Sequence, residues 1–219
     1  EDALEILNVA IKKYPDSSKL YVERGSILYT LIFRVENNFL SKSLASKALD
    51  DFQNSIRIKP TFDGYIGLGN VYGFLHDPVL SERSYKKAQE YSTTDEMKSI
   101  VQSNLGMVYL SKKNYDDALV CFYKSQLYDN NLFTHLRIGD IKMKKGEKEY
   151  ALKIWVYALS NKDVKGSFTV AHEVAYKIAL VYYDKREYDK SLHYTNWILE
   201  KDESNSKALS LYKKIKRKM

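Results

Sequence analysis

The sequence predicts an all-α protein built from stacked antiparallel helix hairpins. The first observation is a repeat, because Gly106 and Gly139 lie 33 residues apart and so do Ala118 and Ala151. A period near 34 residues, in which small and aromatic positions alternate, is typical of stacked helix pairs. The second observation is composition. The 219 residues include only 9 Gly and 3 Pro, as expected for helices that are joined by short turns.

The small and aromatic positions predict how each hairpin packs. The clearest copy begins with Leu105, Gly106 and Tyr109 in a first helix, called helix A below. It continues with Ala118 and Phe122 in a second helix, helix B. The small residues allow the two helices to approach closely, and the aromatic side chains fill the remaining space. Because one hairpin cannot bury both of its faces, neighbouring hairpins must stack.

This arrangement resembles the tetratricopeptide repeat (TPR) family, and the resemblance covers nearly all of the chain. It implies a right-handed superhelical solenoid. We predict a single TPR-type domain over residues 1–219, with a half-repeat, five repeats and a capping helix at 1–17, 18–61, 62–98, 99–131, 132–165, 172–203 and 204–219. The segment 160–167 is the most loop-like of the chain.

The half-repeat at 1–17 matches a lone helix B, which suggests that a partner helix A lies upstream. In the first full repeat, Gly25 and Ala48 lie 23 residues apart, about 11 more than the family's spacing. We therefore place an insertion around Phe33 to Lys42. It contains neither Pro nor Gly, so we expect it to lengthen helix A, helix B or both.

The fifth repeat departs from the family pattern at its small positions. Ala179 replaces the glycine, Ser191 the alanine and Thr195 the aromatic residue. Tyr182 and Ile198 keep the spacing. We therefore expect a hairpin here as well, with altered packing between its helices.

The C-terminal segment is predicted to be a capping helix with its apolar stripe inward and its lysines outward. Residues 201–219 hold seven Lys and Arg against two Asp and Glu, a net charge of +5 out of +7 for the whole chain. We interpret the basic run 213–218 as a solvated cap, with weak contact to an anionic membrane or to nucleic acid as alternatives. A nucleic-acid groove would normally carry its charge in the body of the protein.

The resemblance implies that a ligand binds on the inward face of the A helices. The predicted peptide-binding groove consists of Asn70, Phe74, Ser103, Asn104, Met107, Phe133, Arg137, Asp140, Tyr176 and Lys177. Asparagine amides both donate to and accept from a peptide backbone, and arginine binds a carboxylate with two parallel bonds. Asn70, Asn104 and Arg137 match part of the residue set with which TPR domains capture chaperone tails. Ile66 and Phe133 stand where that set has lysines, which argues against that ligand.

No catalytic residue, metal site or cofactor is predicted. Gly67, Gly69 and Gly73 resemble a dinucleotide-binding loop, but the third glycine is displaced by one residue and all three fall within a predicted helix A. The four histidines are scattered and lack the spacing of a metal site. Cys121 is the single cysteine, and we interpret it as a small buried residue.

These observations favour a protein–protein interaction scaffold or adaptor that binds a protein or peptide ligand, with no small-molecule substrate. A non-catalytic interaction or regulatory domain of a longer enzyme or regulator is an alternative, and a nucleic-acid-binding helical repeat is a weaker one. Residues 1–20 show no signal peptide, and no apolar run is long enough to span a bilayer. The predicted compartment is the cytoplasm, or the periplasm or a membrane surface if a signal or anchor precedes Glu1.

Overall fold

The computed structural model describes residues 2–219, and within them it contains helices but no strands. The predicted fold class, all-α with stacked antiparallel helix hairpins, is confirmed. Within these residues no helix is both long and apolar enough to cross a membrane. The helices in chain order are α1 Asp2–Lys13, α2 Ser18–Ile32, α3 Asn38–Ile58, α4 Phe62–Phe74, α5 Pro78–Glu90, α6 Asp95–Ser111, α7 Tyr115–Tyr128, α8 Leu132–Lys144, α9 Lys148–Ser160, α10 Phe168–Asp184, α11 Tyr188–Leu199 and α12 Ser206–Lys216.

Polar side chains define where five of the helices begin. Thr61, Thr94, Asn131, Ser167 and Asn205 each precede a helix, and each accepts a hydrogen bond from the backbone N–H three residues later. Such a cap satisfies one of the N–H groups that the first turn of a helix leaves without a partner. The starts of α4, α6, α8, α10 and α12 are therefore specified locally.

Four of the turns from helix A to helix B share one backbone geometry. His76, Lys113, Gly146 and Arg186 have φ angles of 58°, 59°, 81° and 62°. At each turn the following residue donates its N–H over 2.9 Å to the carbonyl oxygen five residues earlier. This left-handed residue with its long-range bond is the Schellman pattern that ends a helix. Three of the four positions hold a residue other than glycine, at a cost in conformational energy.

The insertion in the first repeat forms a turn and extends helix B. Helix α2 ends at Ile32, residues 33–37 form the connection, and α3 runs for 21 residues from Asn38. Asn37 caps α3 by accepting hydrogen bonds from the N–H groups of Phe39 and Leu40. The expected lengthening is therefore found in helix B.

The chain divides into two compact units, Glu1–Cys121 (unit 1) and Phe122–Met219 (unit 2). In unit 1, the ring of Phe52 lies against Gly67 and the ring of Tyr85 lies against Gly69. A side chain at either glycine would overlap the ring. The glycines of α4 therefore act as sites of close approach for large side chains on α3 and α5.

In unit 2, a glycine likewise allows close approach of a large side chain, that of Trp155. This indole is 2% exposed, lies against Gly139, and donates its Nε1–H to the carbonyl of Leu136 over 3.3 Å. Leu136 and Ile178 are fully buried in the same region. The core of unit 2 is therefore centred on α8, α9 and α10.

The degenerate fifth repeat buries its substituted positions fully. Ser191 is fully buried, and its hydroxyl donates to the carbonyl of Ala179 over 2.8 Å. In unit 1, Ser81 makes the same bond to Gly69 over 2.8 Å. Because the hydroxyl is satisfied by helix A, serine replaces the expected alanine without leaving a buried polar group unpaired.

Candidate functional site

In unit 1 the predicted groove residues lie on two helices that contact each other, α4 and α6. Asn70 is half-buried, and its side-chain oxygen accepts a hydrogen bond from the Tyr85 hydroxyl over 2.7 Å. The ring of Phe74 packs edge-on against Phe33, with centroids 6.0 Å apart. Met107 is 37% exposed. Because the Asn70 oxygen already accepts the bond from Tyr85, the amide N–H groups are what this side chain can offer to a ligand.

The remaining unit 1 positions, Ser103 and Asn104, are half-buried on α6. Asn104 is one turn before Met107 on the same helix. Helical neighbours three apart share a face, so these two side chains present an amide beside a thioether. This surface suits a mixed polar and apolar ligand.

In unit 2 the structure brings four predicted residues into one cluster. Asp140 pairs with two cations, Arg137 at 3.1 Å on α8 and Lys177 at 2.8 Å on α10. The Arg137 guanidinium also lies 5.0 Å from the ring centre of Phe133, and Lys177 lies 5.8 Å from that of Trp155. One carboxylate between two cations leaves the cluster with one excess positive charge. Its side chains are positioned by each other before any ligand arrives.

An open slot in unit 2, called the α10 slot below, lies beside these residues. It has a volume of about 890 Å³ and lies between α10 and residues 201–207. One wall is a stripe on α10 at a spacing of four residues, namely Phe168, His172, Tyr176 and Leu180. Residues at this spacing share one helical face. The predicted residues Tyr176 and Lys177 both line the slot.

Sequence reasoning missed most of the slot. Phe168 is 51% exposed and opens α10, but the predicted repeat begins at residue 172. The four-residue spacing of large side chains from 168 to 180 was a signal that could have found this wall. The opposite wall, at residues 201–207, carried no such signal because it is mainly the connection before α12.

Two histidines of unit 2, His135 and His172, are held among neighbouring side chains. His135 is 8% exposed, with its Nδ1 3.0 Å from Gln126 Nε2 and its Nε2 2.7 Å from Asn130 Oδ1. Burial lowers the pKa of His135. The His172 ring lies between Phe168, at a centroid distance of 3.9 Å, and Trp197, at 5.8 Å. The His135 imidazole therefore serves the packing of unit 2, whereas His172 also forms part of the wall of the α10 slot.

The opposite wall of the slot is polar and carries cations. Lys201 lies 5.4 Å from the ring centre of Trp197, and within residues 2–219 the structure shows no ion pair for Lys207. The Asp202 carboxylate accepts hydrogen bonds from Ser204 over 2.9 Å and from Asn205 over 3.1 Å. These bonds lower the pKa of Asp202, so it stays ionised and held against its own loop.

The two units differ in charge. Residues 1–121 hold 15 Lys and Arg against 16 Asp and Glu, a net of −1, whereas residues 122–219 hold 20 against 12, a net of +8. The whole positive excess of the chain therefore belongs to unit 2, which contains the slot. Within the described residues, no three His, Cys, Asp or Glu side chains are grouped so that they could hold a metal ion.

Comparison with known proteins identifies the repeat. Residues 172–219 match the model of the family described as the Fis1 C-terminal tetratricopeptide repeat. PilF of Pseudomonas aeruginosa is similar in structure, with a TM-score of 0.69 at 18% identity over 91% of this chain and 83% of that one. The chain has the tetratricopeptide repeat fold. Its recognition from the sequence is confirmed. No curated protein matches the sequence.

Other solved TPR structures are similar over most of the chain. YrrB, described as a TPR protein with an unusual peptide-binding site, has a TM-score of 0.57 at 15% identity over 96% of this chain and 99% of that one. Yeast Tom70 has a TM-score of 0.69 at 18% identity and covers 98% of this chain, which spans 43% of Tom70. Apart from Phe168 and Thr169, the lining of the α10 slot lies within the segment that matches the Fis1 repeat.

Proposed function

We propose that this TPR chain is a non-catalytic protein–protein interaction scaffold that holds a peptide or a partner helix against its A helices. The observation that carries the proposal is the cluster of Arg137, Asp140 and Lys177 beside the α10 slot. It combines fixed charges with exposed apolar side chains, as peptide sites do. The peptide-binding site of the structurally similar YrrB supports the same class of ligand.

The predicted residues of unit 1 serve the same function in this proposal. Asn70 and Asn104 offer amide groups that bind a peptide backbone, and Phe74 and Met107 offer apolar contacts. The chaperone-tail ligand is not part of the proposal, because Ile66 and Phe133 supply no charge for a terminal carboxylate. The non-catalytic module of a longer enzyme or regulator would use the same surface, so the proposal holds for either context.

Selection of binding peptides from a random displayed library tests the proposal. Selected peptides should bind the purified chain in a fluorescence anisotropy titration and compete with one another. Leu180→Ala, which removes a 36% exposed side chain from the slot wall, should weaken the binding of these peptides. The matched control is Leu127→Ala, an 85% exposed leucine of unit 2 outside the slot. Equal loss in both variants, or no selected peptide, would contradict the proposal.

A second proposal concerns the basic run 213–218, which we expect to contact anionic surfaces electrostatically. Lys213 and Lys214 are exposed, whereas Leu211 and Ile215 are buried against Ala179. The apolar stripe of α12 is therefore used within unit 2. Charge reversal of the lysines is a better test than truncation, because truncation at 213 would remove the buried Ile215. Binding to anionic vesicles or to nucleic acid should fall with salt and with charge reversal.

For the compartment we keep the cytoplasm as a proposal, which rests on the single cysteine of the chain. Fractionation of the native protein tests it. Recovery with a membrane fraction that high salt releases would favour the membrane-tethered alternative through the basic run.

A further inference from the structure

We propose that the α10 slot takes an extended peptide of about five residues in which large apolar side chains alternate with carboxylates. This inference rests on the proposed scaffold function and names the ligand class of one of its sites. The length and width of the slot, its unlike walls and the charges that remain without partners on one of them support this ligand.

The dimensions of the slot suit an extended chain. The stripe from Phe168 to Leu180 spans twelve residues of helix, or about 18 Å. An extended chain of about five residues has this length. Strand spacing and sheet spacing give such a chain a cross-section of about 5 Å by 10 Å. A segment of that size fills roughly the 890 Å³ of the slot, whereas a helix of the same length, about 10 Å or more across, would exceed it.

The two unlike walls of the slot require a peptide in which apolar and polar residues alternate. The large apolar side chains of the slot, Phe168, Tyr176 and Leu180, all lie on the α10 wall beside polar residues, whereas the facing wall is polar throughout. Successive side chains of an extended peptide point in opposite directions. Alternate residues therefore face the two walls, so the apolar residues pack on α10 while the others face residues 201–207.

The lysines that line the slot without an ion pair favour acidic side chains in the peptide. Lys177 is already paired with Asp140 at 2.8 Å, but Lys207 has no ion pair within residues 2–219 and Lys201 contacts only a ring face. Asp202 is engaged by its own loop. The net charge of +8 on unit 2 attracts an acidic segment at longer range. The ionised Asp202 and the exposed Glu173 on the α10 side oppose this attraction, so removal of the Glu173 charge is a useful test.

The test uses synthetic, fluorescein-labelled peptides of about seven residues and anisotropy titrations with the full chain. The first peptide alternates Phe or Leu with Glu or Asp. A second replaces the acidic residues by lysine, and a third has the same composition in two blocks. A fourth is a stapled helix that carries the same side chains at a spacing of four. The first peptide should bind best, by about tenfold over each of the others.

Three variants locate the binding. Lys207→Glu should weaken the alternating peptide by about tenfold, and Glu173→Gln should strengthen it by about twofold, because each changes charge at the slot. The matched control is Lys124→Glu, which makes the same change on an exposed lysine of α7 in unit 2, outside both the slot and the basic run 213–218. It should change binding by less than about twofold, and circular dichroism should show all three variants folded.

The outcomes separate this inference from the scaffold proposal. Equal binding of the lysine peptide, tighter binding of the stapled helix, or equal effects of Lys207→Glu and Lys124→Glu would overturn the inference. If the alternating peptide fails to bind while library-selected peptides bind and respond to Leu180→Ala, the scaffold proposal stands and the ligand class is wrong. If no peptide of either origin binds, both proposals fail.

Discussion

Replacement of Gly139 by alanine tests the close approach of α8 and α9 on which the core of unit 2 depends. A Cβ at this position would overlap Nε1, Cε2 and Cδ1 of Trp155. The indole is 2% exposed and holds a 3.3 Å hydrogen bond to Leu136. Because the added methyl group and the indole cannot occupy the same space, Trp155 must move and that bond is lost.

Three contributions determine the magnitude for Gly139→Ala. Alanine in a helix interior is more favourable than glycine by about 1 kcal/mol. Forcing an extra carbon into a packed core costs about 1–3 kcal/mol, and losing the indole hydrogen bond costs about 1 kcal/mol more. The free energy of unfolding should therefore fall by about 1–3 kcal/mol.

Urea unfolding measures this change by circular dichroism and by tryptophan emission. The chain has two tryptophans, so a Trp197→Phe background reports Trp155 alone. The matched control is Gly73→Ala, also in a helix A, where the nearest atom to an added Cβ is Ser81 Oγ at 3.6 Å. This contact is ordinary, so the control should be stabilised by up to about 1 kcal/mol.

The reasoning is refuted if Gly139→Ala gains stability as the control does and leaves the Trp155 emission unchanged. A double-mutant cycle gives a second check. With Trp155→Leu in place, the smaller side chain leaves room for the methyl group, so the penalty of Gly139→Ala should largely disappear. A penalty that persists unchanged would assign the effect to the helix α8 backbone instead.

Three further predictions concern charged groups. Arg24→Ala should destabilise unit 1 by about 3–5 kcal/mol, because it leaves the 2% exposed Asp51 carboxylate without its bidentate partner; in urea unfolding, Asp51→Asn in the same background should recover part of the loss. Hydrogen bonds from two lysines lower the pKa of Glu82 to about 2. The stability that these bonds contribute is present above about pH 4.5 and is lost as the pH falls towards 2. Glu82→Gln should therefore lower the free energy of unfolding by about 1–2 kcal/mol at pH 7 and reduce its dependence on pH in this acidic range. Burial lowers the pKa of His135, so its neutral form is held in the folded state and stability should fall as pH drops below about 6.5; an unchanged pH dependence in His135→Gln would contradict this.

The hairpin pattern could be predicted from the sequence because its causes are local. Close approach requires a small residue at a set place in each helix, and the facing aromatic residue follows at a set distance, as at Gly139 and Trp155. The left-handed turns could not be predicted in this way. Lys113 and Arg186 are not residues that favour this conformation, and the hydrogen bonds around the turn hold them in it.

The sequence by itself determined the all-α class, the repeat and which helices carry candidate ligand contacts, because periodicity and spacing act over one hairpin. Only the tertiary structure decided which cations remain available. Asp140 pairs with Lys177 from another helix, whereas Lys207 faces the α10 slot without an ion pair in the described chain. Coulomb attraction depends on the distance between side chains in space, and packing of α8 against α10 sets that distance.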